Sequence, residues 1–260
     1  MCLINFSFER HPTYQLVVAA NRDEFYDRAT APAAYWNDAP HILAGKDLVS
    51  HGTWLGVTKK GRFAALTNYR DQVTIENPKS RGKLVSNFLN SSFSAKEYGI
   101  LIEETKTQYQ GFNLLLWDGR EFFYHSNRSE KFQKLIPGTY SFSNALLHSD
   151  WPKVRKGKTL LETCNEKTGD DLFECLLGGL SDHVVAEDHL LPDTGVGIEM
   201  ERWLSSMFIN KGNYGTRSST IITFDYEGKV HFFERTYNFY GKKKNDVDYT
   251  LRIHNKKRGI

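Results

Sequence analysis

The chain has 260 residues, enough to bury a substantial core in one large domain. Its formal net charge of +3 is too small to argue for a nucleic-acid partner. Its apolar runs are far too short to span a bilayer, and its start lacks the basic and apolar regions of a secretory leader.

Phe and Tyr number 17 and 13, so a ring-rich, strand-rich core is expected. Cys2–Glu9 alternates and reads as a strand, and Tyr14–Asn21 reads as a second. A four-residue turn at Arg10–Thr13 would set Cys2 opposite Asn21. Asp27–Asp38, with Pro32 inside it, reads as irregular. Thr53–Lys59 and Gly61–Asn68 form a hairpin. Ser80–Asn90 and Ser94–Gln108 read as helices, the second opened by Ser94 and Glu97 at capping-box spacing. Phe112–Trp117 and Glu121–Ser126 form a third hairpin, and Tyr140–Asn144 is a short strand. Trp151–Lys167 and Asp170–Leu180 read as helices, with Pro152 suited to a first turn. His183–Gly212 reads as a long surface loop. Thr216–Tyr226 and Lys229–Asn238 make a last hairpin, and Tyr249–Ile253 an edge strand. The basic groups Lys242–Lys244 and Lys256–Arg258 read as a solvated tail. No internal repeat or long linker divides the chain. This order predicts an α+β layered domain of mainly antiparallel sheets.

The three cysteines, Cys2, Cys164 and Cys175, form no CxxC pair. No disulfide framework is expected, and a reducing, cytoplasmic setting fits best. Cys2 is the informative one. Removal of Met1 would place a thiol of pKa about 8.5 beside an amine of pKa about 7.7–8.0, a nucleophile with a base attached. The competing reading is a small buried residue starting a strand.

Four segments put polar side chains at the end of an apolar strand: Asn21-Arg22-Asp23-Glu24, Thr67-Asn68-Tyr69-Arg70, Ser143-Asn144 and Thr216-Arg217-Ser218-Ser219. Such groups at the rim of a rigid scaffold suit acyl transfer. Cys2 would attack, its amine would act as base and then acid, and Asp23 would orient the amine. Asn68 and Asn144 would donate to the oxyanion, and Arg22 or Arg217 would lower the thiol pKa. The histidines show no HExxH pattern, so no metal is expected. His148 and Asp188-His189 offer at most axial ligands to a haem.

These segments, with Met1-Cys2, Gly52-Thr53-Trp54-Leu55-Gly56-Val57, Gly111-Phe112-Asn113-Leu114 and Tyr214-Gly215-Thr216-Arg217, resemble the NRDE family, named for its Asn-Arg-Asp-Glu motif. The transport and Golgi organisation 2 proteins belong to that family. The resemblance implies a four-layer αββα sandwich of the N-terminal-nucleophile hydrolase type, with more distant similarity to penicillin acylase and bile-salt hydrolase. Those enzymes use an N-terminal Cys, an Arg and an Asp on the second strand, two Asn and a late Arg. Cys2, Asp23, Asn68, Asn144 and Arg217 fall at matching places. Ala20 stands where the second-strand arginine would be, with Arg22 inside the motif.

The expectation is a cysteine amidohydrolase or thioesterase acting on a small acylated or hydrophobic compound. Asn21, Arg22, Tyr26, Trp54 and Tyr69 would bind the substrate, and Phe25, Tyr26, Trp36 and Trp54 would wall an acyl pocket. The family's links to acyl-coenzyme-A and haem homeostasis imply an alternative: a carrier, without chemistry, of haem, acyl-coenzyme A or lipid in the same cleft.

Overall fold

A computed structural model describes residues 2–130 and 132–253. Met1 and the basic group Lys256–Arg258 lie outside them. The strands are β1 (Cys2–Phe8), β2 (Tyr14–Phe25), β3 (Thr30–Trp36), β4 (Ala39–Asp47), β5 (Leu55–Thr58) and β6 (Phe63–Asn68), then β7 (Phe112–Trp117), β8 (Phe122–Ser126), β9 (Gln133–Lys134) and β10 (Gly138–Phe142). They end with β11 (Asn210–Lys211), β12 (Tyr214–Asp225), β13 (Lys229–Tyr237) and β14 (Lys243–Arg252). The helices are α1 (Gly82–Asn90), α2 (Ala95–Thr105), α3 (Pro152–Thr163), α4 (Gly169–Leu180) and α5 (Ile198–Leu204).

Two antiparallel seven-stranded sheets form, one in the order β10-β1-β2-β12-β13-β14 with β11 beside β12, the other running β3 to β9 in sequence. Alternation along β1 shows how they stack. Ile4, Phe6 and Phe8 enter a core between the sheets, with Val18 and Ala20 of β2 and Val57, Phe63 and Leu115 of the other sheet. Leu3, Val17 and Ala19 face the opposite way, onto Leu161, Leu172 and Leu176 of α3 and α4. The second sheet packs its outer face on Leu84, Phe88 and Ile102 of α1 and α2. The layers are therefore α, β, β and α, an α+β sandwich as the alternation and family resemblance predict.

The capping box forms at α2: the Ser94 hydroxyl accepts from the Glu97 amide and the Glu97 carboxylate accepts from the Ser94 amide. Other expectations need correction. Asp27–Asp38 is not irregular, because Thr30–Trp36 is an edge strand, where Pro32 removes no needed donor. The 183–212 segment is not a bare loop, because it contains α5, a turn of 3-10 helix and β11. Cys164 and Cys175 are bonded: the end of α3 and the body of α4 bring their Cα atoms to 6.0 Å and a disulfide joins them. Cys2 is the free cysteine among the described residues. No helix among these residues is long and apolar enough to cross a membrane.

His125 on β8 is buried between the Phe112 and Phe132 rings, with Nδ1 3.3 Å from Glu103 Oε1. Burial holds its pKa well below the ordinary value, against the pull of Glu103. The unfolded chain binds this proton near pH 6.5 and the fold resists it, so the site's stability is full above about pH 6.5 and falls as pH drops below it. Melting at pH 5 should come several degrees below melting at pH 7. His125→Phe should flatten that difference, and an undiminished acid loss in the variant would assign it to other groups.

Candidate active site

A cleft of about 550 Å³ opens where the ends of the two sheets meet. Cys2, Arg22 and Arg217 line it from the first sheet, Asp47 and Asn68 from the second, and Trp54 and Arg81 from the segments before β5 and α1.

Cys2 reaches the cleft because it shares the face of Ile4, Phe6 and Phe8 at the point where the inter-sheet core stops. Its carbonyl accepts from Ser143 Oγ at 2.8 Å, which ties the first strand to the end of β10. The hairpin register differs by one residue from the expected one: Cys2 pairs with Arg22, and Asn21 with Leu3. Glu9, at φ +50°, pairs through its amide with the Gln15 carbonyl, so the turn holds one more residue than a four-residue turn. Cys2 and Arg22 are thus cross-strand neighbours on one face. Arg22 Nη2 lies 3.7 Å from Asp47 Oδ2 and 4.0 Å from Glu24 Oε2, and Asp47 is itself bonded to Arg28 Nε at 2.6 Å. Burial pushes the Cys2 thiol above its ordinary pKa, and Asp23 pushes the same way while Arg22 pulls down. The thiol therefore rests protonated and needs a base.

Asp23 is buried opposite Thr216, whose Oγ1 donates to Oδ1 at 2.8 Å. Arg217 is the extra residue of a bulge in β12 between Thr216 and Ser218, which turns its side chain. Its guanidinium donates to the carbonyls of Phe25 (2.6 Å) and Arg28 (3.1 Å) and lies 5.5 Å over the Tyr26 ring. Burial pulls its pKa down, and neighbouring Arg22 adds to this. The buried Asn144 amide donates to the Asn68 carbonyl at 2.9 Å, which joins the end of β6 to the segment after β10, and Asn144 is not among the residues that line the cleft. Asn68 itself borders the cleft.

The structure does not bring every expected residue to this place. Asn21 faces α4: its Nδ2 donates to the carbonyls of Leu180 and Met207 at 2.8 Å, and its Oδ1 accepts from Ser219. Tyr26 and Tyr69 stand outside the cleft lining. Of the four rings expected to wall an acyl pocket, only Trp54 lines it. Phe25 is exposed, and Trp36 packs in the core under α1. His148 and His189 are exposed and outside the cleft.

Three lining residues escaped sequence reasoning. Arg81, at the start of α1, donates to the Gly111 carbonyl at 2.9 Å; burial lowers its pKa, with Cys2 the largest opposing influence. The signal was present, since α1 opens on a cation with no acid in its first turn, against the usual dipole preference. Glu234 is buried and accepts from the Ala33 amide at 2.7 Å, bridging the two sheets. Asp47 orients Arg22 and Arg28 as described.

A family model described as Transport and Golgi organisation 2 matches residues 1–239. The chain belongs to that family. It is 37% identical to the bovine Transport and Golgi organization protein 2 homolog, over 91% of this chain and 93% of that protein. The human homolog is 35% identical with the same coverages, and the protein of Drosophila melanogaster is 30% identical, over 91% and 92%. Among solved structures, this family member is similar to a mutant of conjugated bile acid hydrolase from Clostridium perfringens, with a TM-score of 0.49 at 10% identity, covering 97% of this chain and 92% of that one. A Caenorhabditis elegans N-acylethanolamine-hydrolyzing acid amidase ortholog gives a TM-score of 0.47, also at 10% identity, over 85% and 92%.

Proposed function

We propose that this protein is a cysteine hydrolase of the N-terminal-nucleophile type that cleaves an amide or thioester of a small acylated compound. The observation that carries the reading is the meeting of Cys2, Arg22 and Asn68 in one cleft, with buried Asp23 beside them. Processing ahead of Cys2 frees its α-amine, which takes the thiol proton. The thiolate then attacks the acyl carbon and forms a tetrahedral oxyanion, to which the Asn68 side-chain amide donates in this reading. Collapse breaks the bond to the leaving amine or thiol, which takes the proton back from the ammonium. Water, activated by the same amine, releases the acid from the acyl-enzyme. Asn144 acts by positioning Asn68, and Arg22 favours the thiolate by charge.

A specific observation keeps the carrier reading as the second. Burial holds the thiol protonated, and the Asn144 amide is already engaged. A carrier would bind an acyl chain or haem here without turnover, and Trp54 supplies one ring for such a ligand.

The test uses acyl p-nitroanilides and acyl thioesters with the full chain. The expected result is turnover, with an acyl adduct found by mass on the Cys2 peptide of a chain that starts at Cys2. Cys2→Ala should lose both. Equal turnover in that variant, or a mature chain still extended ahead of Cys2, would overturn the hydrolase reading. Stoichiometric binding that survives Cys2→Ala would then support the carrier.

A further inference from the structure

We propose that the cleft takes an acyl compound bearing an oxyanion, a carboxylate or a phosphate, and that Arg81 holds that group. The proposal names the substrate class of the Cys2 site, and it rests on the hydrolase reading for the word substrate.

Basic side chains outnumber acidic ones in the cleft lining by seven to four. A cavity of about 550 Å³ with that imbalance suits a small molecule carrying negative charge. Its apolar lining is thin. Trp54, Leu66 and the Tyr237 ring are the large members, so a long acyl chain would find little to cover it.

The acids of the lining are already engaged. Asp47 accepts from Arg28 at 2.6 Å and lies 3.7 Å from Arg22, and Glu24 stands within 4.0 Å of both arginines. Glu234 accepts from the Ala33 amide, and Asp23 from Thr216 Oγ1. Lys46 is answered from outside the cleft, by Asp38 at 3.0 Å. Arg81 and Arg217 differ, because neutral oxygens hold both. Arg217 uses its terminal nitrogens on the Phe25 and Arg28 carbonyls and on Thr30 Oγ1. Arg81 uses Nη1 alone, on the Gly111 carbonyl at 2.9 Å. Its Nε and Nη2 have no partner among the described residues. Together they form the planar fork that takes a carboxylate or phosphate through two parallel hydrogen bonds.

The backbone fixes this guanidinium in advance. Two glycines let the segment before β5 meet the start of α1: a Cβ on Gly52 would sit 2.5 Å from the Gly82 carbonyl carbon. The Thr53 amide donates to the Gly82 carbonyl at 3.2 Å. Arg81 precedes Gly82, so this contact and the Gly111 carbonyl hold it from two sides. From there it shares the lining with Cys2 and Asn68. Glu24 and Asp71 act on it from farther away, but Arg28 engages the first and Arg128 the second.

The test is calorimetric binding to the full-length Cys2→Ala chain, which reads affinity without turnover. The probes are N-butanoylglycine, N-butanoyl-O-phosphoethanolamine and the neutral N-butanoylglycinamide. At least one anionic probe should bind about tenfold to hundredfold tighter than the neutral one, the range of a hydrogen bond to a charged group. The carboxylate and phosphate arms tell which oxyanion the cleft takes. Adding Arg81→Met should abolish the preference, and Arg81→Lys, a charge without a fork, should restore part of it. No binding of either anion, equal binding of all three probes, or a folded Arg81→Met chain that keeps the preference would overturn the proposal. The comparison of probes needs no change at Arg81, so it decides the matter should Arg81→Met fail to fold. A preference for anions in a protein that hydrolyses nothing removes only the hydrolase reading. Hydrolysis of the neutral compound as fast as the charged ones, with no preference in binding, removes only the role of Arg81.

Discussion

Asp23→Asn should lower kcat/KM by about 10²–10⁴-fold on any acyl amide the native protein cleaves, the range general acid–base assistance contributes. The side chain keeps its shape, and Asn Oδ1 can still accept from Thr216 Oγ1. The charge is what goes. A neutral amide cannot hold an ammonium as it forms in the transition state, nor fix the lone pair of the amine toward the thiol. Cys2 should remain present for alkylation, so the loss would not reflect a missing nucleophile. Turnover within a few-fold of native would remove Asp23 from the mechanism and leave the amine to be oriented by something else.

Gly157→Ala should destabilise the protein by about 2–3 kcal/mol, the upper range for overpacking a tight interior. A Cβ built there would sit 1.9 Å from Asn5 Oδ1 and 2.7 Å from Ser141 Oγ. Asn5 cannot swing away: its Oδ1 accepts from Ser141 at 2.7 Å, and its Nδ2 donates to the Ala19 carbonyl at 3.0 Å. The helix must lift instead. For a chain of this size the cost corresponds to roughly 5–10 °C in melting temperature, read by thermal denaturation. An unchanged melting temperature would mean that α3 sits more loosely on β1 than these contacts describe.

The layered architecture was legible because apolar alternation and ring content mark strands without reference to partners. The outlines of the β7–β8 and β12–β13 hairpins and of the helices α1 to α4 could be read the same way. Other features depend on what lies across space. Thr30–Trp36 looks irregular along the chain, yet at a sheet edge its proline is harmless. The one-residue error at Cys2 came from Glu9, whose left-handed backbone lengthens a turn that composition alone suggests is shorter. At the site, motif spacing brought Cys2, Asn68 and Arg217 to one cleft with Asp23 at its border. It could not show that Asn144 faces Asn68 or that Asn21 faces α4, because an amide's role is set by the acceptors folding places around it. Arg81 is not legible in the sequence because a cation at a helix start ordinarily reads as a solvated surface group.

The pairing of β2 with β12 bears on how the protein is made. Asp23 and Thr216 are 193 residues apart, and β12 stands between β2 and β13 within its sheet. A ribosome must therefore add 193 residues after Asp23 before Thr216, on the strand that completes the site, exists. Until then β2 has β1 on one side and an unpaired edge on the other, with the thiol-bearing end uncovered. Contacts of such sequence separation form slowly. Assembly of the cleft should be among the last events in folding, and a chain cut short before Tyr214 would hold Cys2 and Asp23 without the hydroxyl and the guanidinium that frame them.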